Sequence, residues 1–489
     1  MRARFVWFWL ALLVAWGGAA CGDDDGSADG DHLRPDGAVG EPDAGGPDAG
    51  EVGFVCEESD DDILVRLQAI PGVTVTEDPI DPPYRFFHLA FEQPVDHADP
   101  GGATFIQRVS LLHRDLAAPM VLHTSGYYGY DFPFAAEPTA LIDGNQINTE
   151  QRFFAPSRPD PADWRLLTIE QAAADHHRIV AALRPIYCGK WVSTGASKGG
   201  MTSVYHRRFY PSDVDATVAY VAPISFGAPD DRYHPFFDTV GSASCRSKLE
   251  TYQRELLTRR TAMLSRMQSY ADANGLTFAR SSGIEGAFED AVVEFAWGFW
   301  QYSGPSDCAS IPAASASNAT LFNFLVDVGG LYFYDDDTIV DFSPYYYQAD
   351  SQLGYPSEPT GHIDDLLETQ DLPRNYMPPG ATAPTYDPGA MQDVDQWVQG
   401  DAARILFVYG EFDPWYAGHF ELGQADDSLL MVAPGANHGA NISALEAADA
   451  DAATAALLRW TGVTAKPAAA RAATRLPPAP PPPRIRVRH

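Results

Sequence analysis

The chain has 489 residues, 45% of them hydrophobic, 12% aromatic and 20% charged, which is the composition of a globular protein and not of a disordered or fibrous one. Aspartate and glutamate outnumber lysine and arginine 66 to 33, leaving a formal net charge of −33. A field of that sign repels nucleic acid and anionic membrane surfaces, so functions that read phosphate are set aside at the outset.

In chain order, residues 1–21 read as a bacterial secretory signal ending in a lipobox. Arg2 and Arg4 precede the apolar run Phe5 to Trp16, and small residues lead to Cys21. The run is too short to span a bilayer comfortably, and no later segment offers 18 uninterrupted apolar residues. Cys21 is the candidate for acylation, so membrane contact is expected only through a lipid there. Gly18 stands where a lipobox favours leucine, which leaves free secretion as the alternative.

Residues 22–52 form an acidic linker. From Gly22 to Glu51 there are ten acids, one arginine and eight glycines. Such a segment cannot bury enough apolar surface to offset its ordering entropy, and it reads as a disordered tether. Its "DDDGSADGD" lacks the closing glutamate of a calcium loop. Residues 464–489, rich in alanine, proline and basic residues, read as a disordered tail.

Between these ends lies a globular region. The runs "ATFIQRVSLLHR", "PMVLHTSG", "KWVSTG", "ATVAYVAPIS", "RILFVYGEFD" and "LLMVAPGANH" are apolar and β-branched, and they predict strands. Helical patterns separate several of them, "IEQAAADHHRIVAALR" before "KWVSTG" and "KGGMTSVYHRRFYP" after it. That alternation implies crossover connections, an α/β class and a mainly parallel sheet. It stops after Phe226 and resumes near Arg404. The stretch between holds "CRSKLETYQRELLTRRTAMLSRMQSYADANG" and "FEDAVVEFAWGFWQY", both strongly helical, then "LYFYDDDTIVDFSPYYYQADSQLGYP", aromatic and irregular. The expected layout is an N-terminal part at 53–228, an inserted and mostly helical cap at 229–400, and a C-terminal part at 401–463.

Apart from Cys21, four cysteines remain, and an even number in an exported chain permits two disulfides. Their order along the chain favours Cys56–Cys188 and Cys245–Cys308. No Cys-x-x-Cys pair occurs, which argues against a zinc site.

The chemistry centres on Gly195-Ala196-Ser197-Lys198-Gly199, a G-x-S-x-G sequence set between a strand-like and a helix-like run. At a sharp strand-to-helix turn a serine projects its hydroxyl above the sheet, and flanking glycines relieve crowding. Without partners it is a poor nucleophile. In chain order the acid and then the base should follow on loops after later strands. Asp413 ends "RILFVYGEFD" and His438 lies in "MVAPGANHGA", so the expected triad is Ser197, Asp413 and His438, with Glu411 the competing acid. His176, His177, His206 and His419 are read as structural. For the oxyanion, the expected donors are the Lys198 backbone N–H and the loop His123 to Tyr130, through Gly126 or the Tyr127 side chain. The Lys198 side chain is expected to face solvent.

The run "WVSTGASKGGMTSVYHRRFYPSDVDATVAYVAPIS", with "NTEQRFF", "YYYQADSQLGYP", "YGEFDPWYAG" and "NHGANI", resembles the secreted bacterial prolyl tri-/tetrapeptidyl aminopeptidases. Those serine peptidases are distantly similar to lysosomal Pro-Xaa carboxypeptidase and its dipeptidyl-peptidase relatives. The resemblance covers essentially the whole globular region. It implies an α/β-hydrolase fold with an inserted cap, and release of short peptides from free N-termini. Its nucleophile, acid and base fall on Ser197, Asp413 and His438. Its glutamate-arginine-aromatic segment falls on Glu150, Arg152, Phe153 and Phe154. Glu150 then becomes a candidate partner for the substrate ammonium, with Arg152 beside it; the alternative is a structural Glu150–Arg152 ion pair. Tyr345 to Tyr347 could pack on proline rings or belong to the cap core. No metal, organic cofactor or obligate protein partner is called for, and the expected partner is a peptide substrate. The alternatives are an esterase or lipase using the same triad, and a catalytically silent binding lipoprotein.

Overall fold

The structure, a computed structural model, describes residues 56–464. The readings of the signal segment, Cys21, the acidic linker and the basic tail lie outside those residues.

Nine strands form one sheet: β1 (Val73–Asp78), β2 (Arg85–Pro94), β3 (Thr104–His113), β4 (Met120–Thr124), β5 (Asn145–Thr149), β6 (Trp191–Ala196), β7 (Ala216–Tyr220), β8 (Ile405–Gly410) and β9 (Leu429–Ala433). Their spatial order is β1-β2-β3-β5-β4-β6-β7-β8-β9. From β5 to β9 every neighbouring pair is parallel, while β1, β2 and β3 pair antiparallel and β3 joins β5 antiparallel. The longer helices are α1 (Ile169–Leu183), α2 (Lys198–Phe209), α3 (Ala243–Thr258), α4 (Arg260–Asn274), α5 (Gly283–Val293), α6 (Phe295–Tyr302), α7 (Asp336–Gln348), α8 (Pro388–Gly400) and α9 (Ala447–Thr461). The architecture is an α/β-hydrolase fold with a mostly helical insertion between β7 and β8.

Strand periodicity decides which helix covers which face. Along β8, Ile405, Phe407 and Tyr409 pack with α2 and α8, through Met201, Val204, Met391 and Val394. The alternate residues Leu406 and Val408 pack with α9, through Ala456 and Leu457. Both faces of the parallel strands are therefore buried, and each strand reads as a near-continuous apolar run.

Within the insertion, α3 to α6 build a core of their own around Leu249, Tyr252, Met263, Phe288, Phe295 and Phe299. Cys245–Cys308 closes that unit and Cys56–Cys188 ties the first described residue to the turn before β6, the two pairings expected. Helix α8, assigned to the insertion by sequence, packs on the sheet. The aromatic stretch from Leu331 is more regular than expected: α7 runs through Pro344 and ends in a π-helical turn, Ala349–Leu353. Asp336 and Asp337 in its first turn suit the positive end of the helix dipole.

Candidate active site

Ser197 stands between β6 and α2 with φ +56° and ψ −127°, a conformation that L residues rarely adopt. Such strain costs about 1–3 kcal/mol and persists only where the surroundings enforce it. The flanking glycines show how. A Cβ on Gly195 would lie 2.3 Å from the Gly199 carbonyl oxygen, and one on Gly199 would lie 2.4 Å from the Thr124 carbonyl oxygen. The elbow is therefore pressed against the end of β4, and only glycine fits at either position. Thr124 Oγ1 donates to the Gly199 carbonyl at 2.7 Å and fixes the contact.

Loops after β8 and β9 bring together the other two expected residues. His438 Nδ1 donates to Asp413 Oδ2 at 2.6 Å, and both side chains are buried. Asp413 Oδ1 accepts the Trp415 amide at 3.1 Å, so the carboxylate is held from both sides. With Nδ1 committed to Asp413, Nε2 is the nitrogen left for proton transfer. Glu411, the competing acid, is exposed and accepts the Gly435 amide at 2.7 Å. The His438 amide donates to the Gln301 carbonyl at 3.1 Å, and Asn437 Nδ2 donates to the Ser303 carbonyl at 3.1 Å. The last turn of α6 thus holds the histidine loop, a link from the insertion that the sequence did not suggest.

The loop after β4 faces Ser197. Tyr127 is buried and lines the same pocket as Ser197. Burial raises the phenol far above its ordinary titration range, so it remains a donor at any working pH. The Tyr127 amide is taken by Ser125 Oγ at 3.2 Å, which leaves the hydroxyl as the Tyr127 group that can meet an oxyanion. The Lys198 amide, at the first position of α2, has no acceptor within its helix. Gly126 has φ +73°, and a Cβ there would lie 2.6 Å from the Gly199 nitrogen. Loop and elbow are thus in direct contact.

The expectation of a solvent-facing Lys198 side chain is overturned. It is 1% exposed, and Nζ donates to the Gly126 carbonyl at 2.6 Å.

The Glu150–Arg152 ion pair does not form, because each residue has another partner. Arg152 pairs with Asp175 at 2.7 and 2.9 Å and also donates to the carbonyls of Pro94, Val95 and Leu166. It is fully buried. Glu150 takes Arg108, the Gly129 amide at 2.8 Å and the Ser157 amide at 3.1 Å. It is likewise fully buried, and it braces the far end of the Tyr127 loop.

A small pocket opens at the Ser197 hydroxyl. Its walls include Tyr127, Met201, Pro223, Tyr345, Leu353 and Trp415. The three consecutive tyrosines separate in role. Tyr345 lines this pocket and packs on Tyr127, with ring centroids 5.9 Å apart. Tyr346 stacks on Tyr376 and Tyr347 packs on Trp164. Trp415, which the sequence reading missed, lines the pocket and lies 6.3 Å from His438 between ring centroids. Its position two residues after Asp413 was the available signal. The remaining histidines are structural: His206 and His177 share Asp213, at 2.9 Å each, and His419 contacts the Tyr416 carbonyl. Among the described residues no group of His, Cys, Asp and Glu is arranged to hold a metal ion, and no helix is long and apolar enough to cross a membrane.

The chain is similar to known proteins in three respects. The profile of the PS-10 peptidase S37 family matches residues 56–479. A prolyl tri/tetrapeptidyl aminopeptidase of Streptomyces mobaraensis is 46% identical over 408 residues, covering 82% of this chain and 85% of that protein. Among solved structures, proline iminopeptidase of Mycobacterium smegmatis aligns over 76% of this chain and 98% of its own, at 13% identity and a TM-score of 0.34.

Proposed function

The chain belongs to the PS-10 peptidase S37 family of serine peptidases, and from that premise we propose that it is an exopeptidase releasing proline-containing tri- and tetrapeptides from free N-termini. The observation that carries the reading is Ser197, strained into the elbow at the floor of an aromatic pocket, with the His438–Asp413 pair on the neighbouring loops.

Ser197 attacks the scissile carbonyl while His438 Nε2 takes its proton, then returns it to the leaving amine. Asp413 keeps the imidazole in the required tautomer and stabilises the imidazolium. The tetrahedral oxyanion is met by the Lys198 amide and the Tyr127 hydroxyl, donors already in place before charge develops. Tyr127 shares the pocket with Ser197. Catalytic hydrogen bonds commonly tighten once substrate is seated, and the serine–histidine contact is expected to do so here. A proline ring, rigid and apolar, suits walls formed by Tyr345, Trp415, Met201 and Pro223. Glu150 serves by bracing the Tyr127 loop. Two disulfides suit an oxidising compartment outside the cytoplasm, with Cys21 as the residue that would carry a lipid.

Hydrolysis of a tripeptide chromogenic amide ending in proline tests the proposal, with the N-terminus free and then acetylated, and Ser197→Ala as the blank. Cleavage of the free form alone is expected. Equal cleavage of both forms would refute the exopeptidase, and hydrolysis of short-chain esters alone would favour an esterase with the same triad.

A further inference from the structure

We propose that Lys198 is a positioning residue for the oxyanion site, fastening the Gly126 carbonyl and the Tyr127 ring so that Tyr127 keeps its place in the pocket beside Ser197. The inference rests on the serine-peptidase reading above and adds a residue to it.

A lysine in the first turn of a helix after a nucleophile has every reason to extend into water. This one is buried, and among the described residues no carboxylate lies within ion-pair distance of Nζ. Burying an ammonium without a counter-charge is costly, and a methionine would fill the same space without that cost. What the ammonium does contact is the loop carrying the second oxyanion donor. Nζ donates to the Gly126 carbonyl at 2.6 Å and sits 5.4 Å from the centre of the Tyr127 ring and 5.7 Å from that of Phe154. A charge-assisted hydrogen bond and two cation–π contacts thus converge on the Gly126–Tyr127 turn.

The turn needs such a fastening. Gly126 is in the left-handed region, and a side chain there would collide with the elbow. The turn's other polar ties are the Tyr127 amide on Ser125 Oγ at 3.2 Å and the Tyr127 carbonyl, which accepts the Gln151 amide at 2.8 Å and Ser125 Oγ at 3.0 Å. Lys198 therefore joins the two halves of the site: its amide is one oxyanion donor, and its side chain holds the turn that carries the other. The ammonium also lies behind the Tyr127 ring, where its charge favours the phenol as a donor to a developing anion.

The titratable groups facing Nζ are Tyr127 on the loop and His176 on α1, with the Asp175–Arg152 ion pair behind the histidine; Tyr345 and Tyr302 of the insertion face Tyr127. Burial draws the Lys198 ammonium down to about 7. The fastening then weakens as pH rises through that value, giving kcat an alkaline limb.

The test compares the full chain and its Lys198→Met variant on a free tripeptidyl-proline chromogenic amide from pH 5 to 9. Ser197 labelling by a fluorophosphonate is followed by mass spectrometry in both. Expected are a fall in kcat of about 10²-fold with KM unchanged, retained labelling, and loss of the alkaline limb in the variant. Unchanged kcat, or a persisting alkaline limb, overturns the role of Lys198 while leaving Ser197 in place. If the variant fails to fold, the parent profile decides: a kcat that does not decline between pH 7 and 9 overturns the inference. Absence of a Ser197 adduct in the parent would instead refute the serine-peptidase reading, and this inference with it.

Discussion

Replacing His176 by phenylalanine is expected to make the protein less sensitive to acid. His176 lies on α1, 1% exposed, edge-on to the His206 ring at 5.7 Å, with neither ring nitrogen in a hydrogen bond. Burial holds its folded-state pKa at about 3, with the nearby His206 adding to the effect, against an ordinary 6.5. The unfolded chain therefore binds a proton that the folded chain refuses. The stability tied to this residue is whole above pH 6.5 and is lost progressively as pH falls toward 3. At pH 5 the loss comes to about 2 kcal/mol from this one imidazole, approaching about 5 kcal/mol near pH 3. His123 and His113, each held at about 4 chiefly by burial, act in the same direction. Together the three remove about 6 kcal/mol between pH 7.5 and 5, a large share of a typical domain's stability. Urea unfolding of parent and His176→Phe at pH 7.5 and 5.0 measures the difference. The parent is expected to lose about 2 kcal/mol more than the variant between the two conditions. An equal loss in both would refute the reasoning.

Asp413→Asn is expected to lower kcat about 10⁴-fold by releasing the His438 tautomer, with folding intact, whereas Glu411→Gln on the exposed neighbour changes kcat little; steady-state kinetics of the pair separates them. Tyr127→Phe removes one oxyanion donor without changing the pocket's shape, so kcat is expected to fall about 10²- to 10³-fold at nearly constant KM. Gly199→Ala drives a Cβ to within 2.4 Å of the Thr124 carbonyl, and soluble yield and thermal midpoint should both drop even though the lost group is no part of the chemistry. Reduction of Cys245–Cys308, which closes a 63-residue separation, is expected to destabilise the insertion by about 4 kcal/mol. Comparing thermal unfolding of the parent with a Cys245→Ala/Cys308→Ala variant measures that cost.

The parallel half of the sheet and the triad were legible for the same reason. Strands buried on both faces must be apolar and β-branched, and Ser197, Asp413 and His438 lie one, three and five residues past the ends of such strands. β5 was missed because it breaks that rule. "NQINT" is wholly buried yet mostly polar, and its side chains are spent on specific bonds: Gln146 Oε1 accepts from Thr139 Oγ1 and the Ala136 amide, and Asn148 Oδ1 pairs with His123. No periodicity records such a strand. The partners of Glu150 and Arg152 were hidden for a related reason. Arg108, Asp175 and Ser157 come from elsewhere in the chain, and past the end of β5 a two-residue spacing no longer puts two side chains on one face. The burial of Lys198 was equally unreadable, since nothing local distinguishes it from a lysine in water. Tyr127 and Phe154 close over it only in the folded chain.

The central claim is that Ser197 is the nucleophile of an exopeptidase that recognises a free amine. It is tested most directly by a peptidyl phosphonate with proline at the reacting position, prepared with a free and with an acetylated N-terminus. The account predicts a covalent adduct on Ser197 from the free form, much slower labelling by the acetylated one, and none in Ser197→Ala. An adduct on another residue, or equal rates for the two forms, would contradict it.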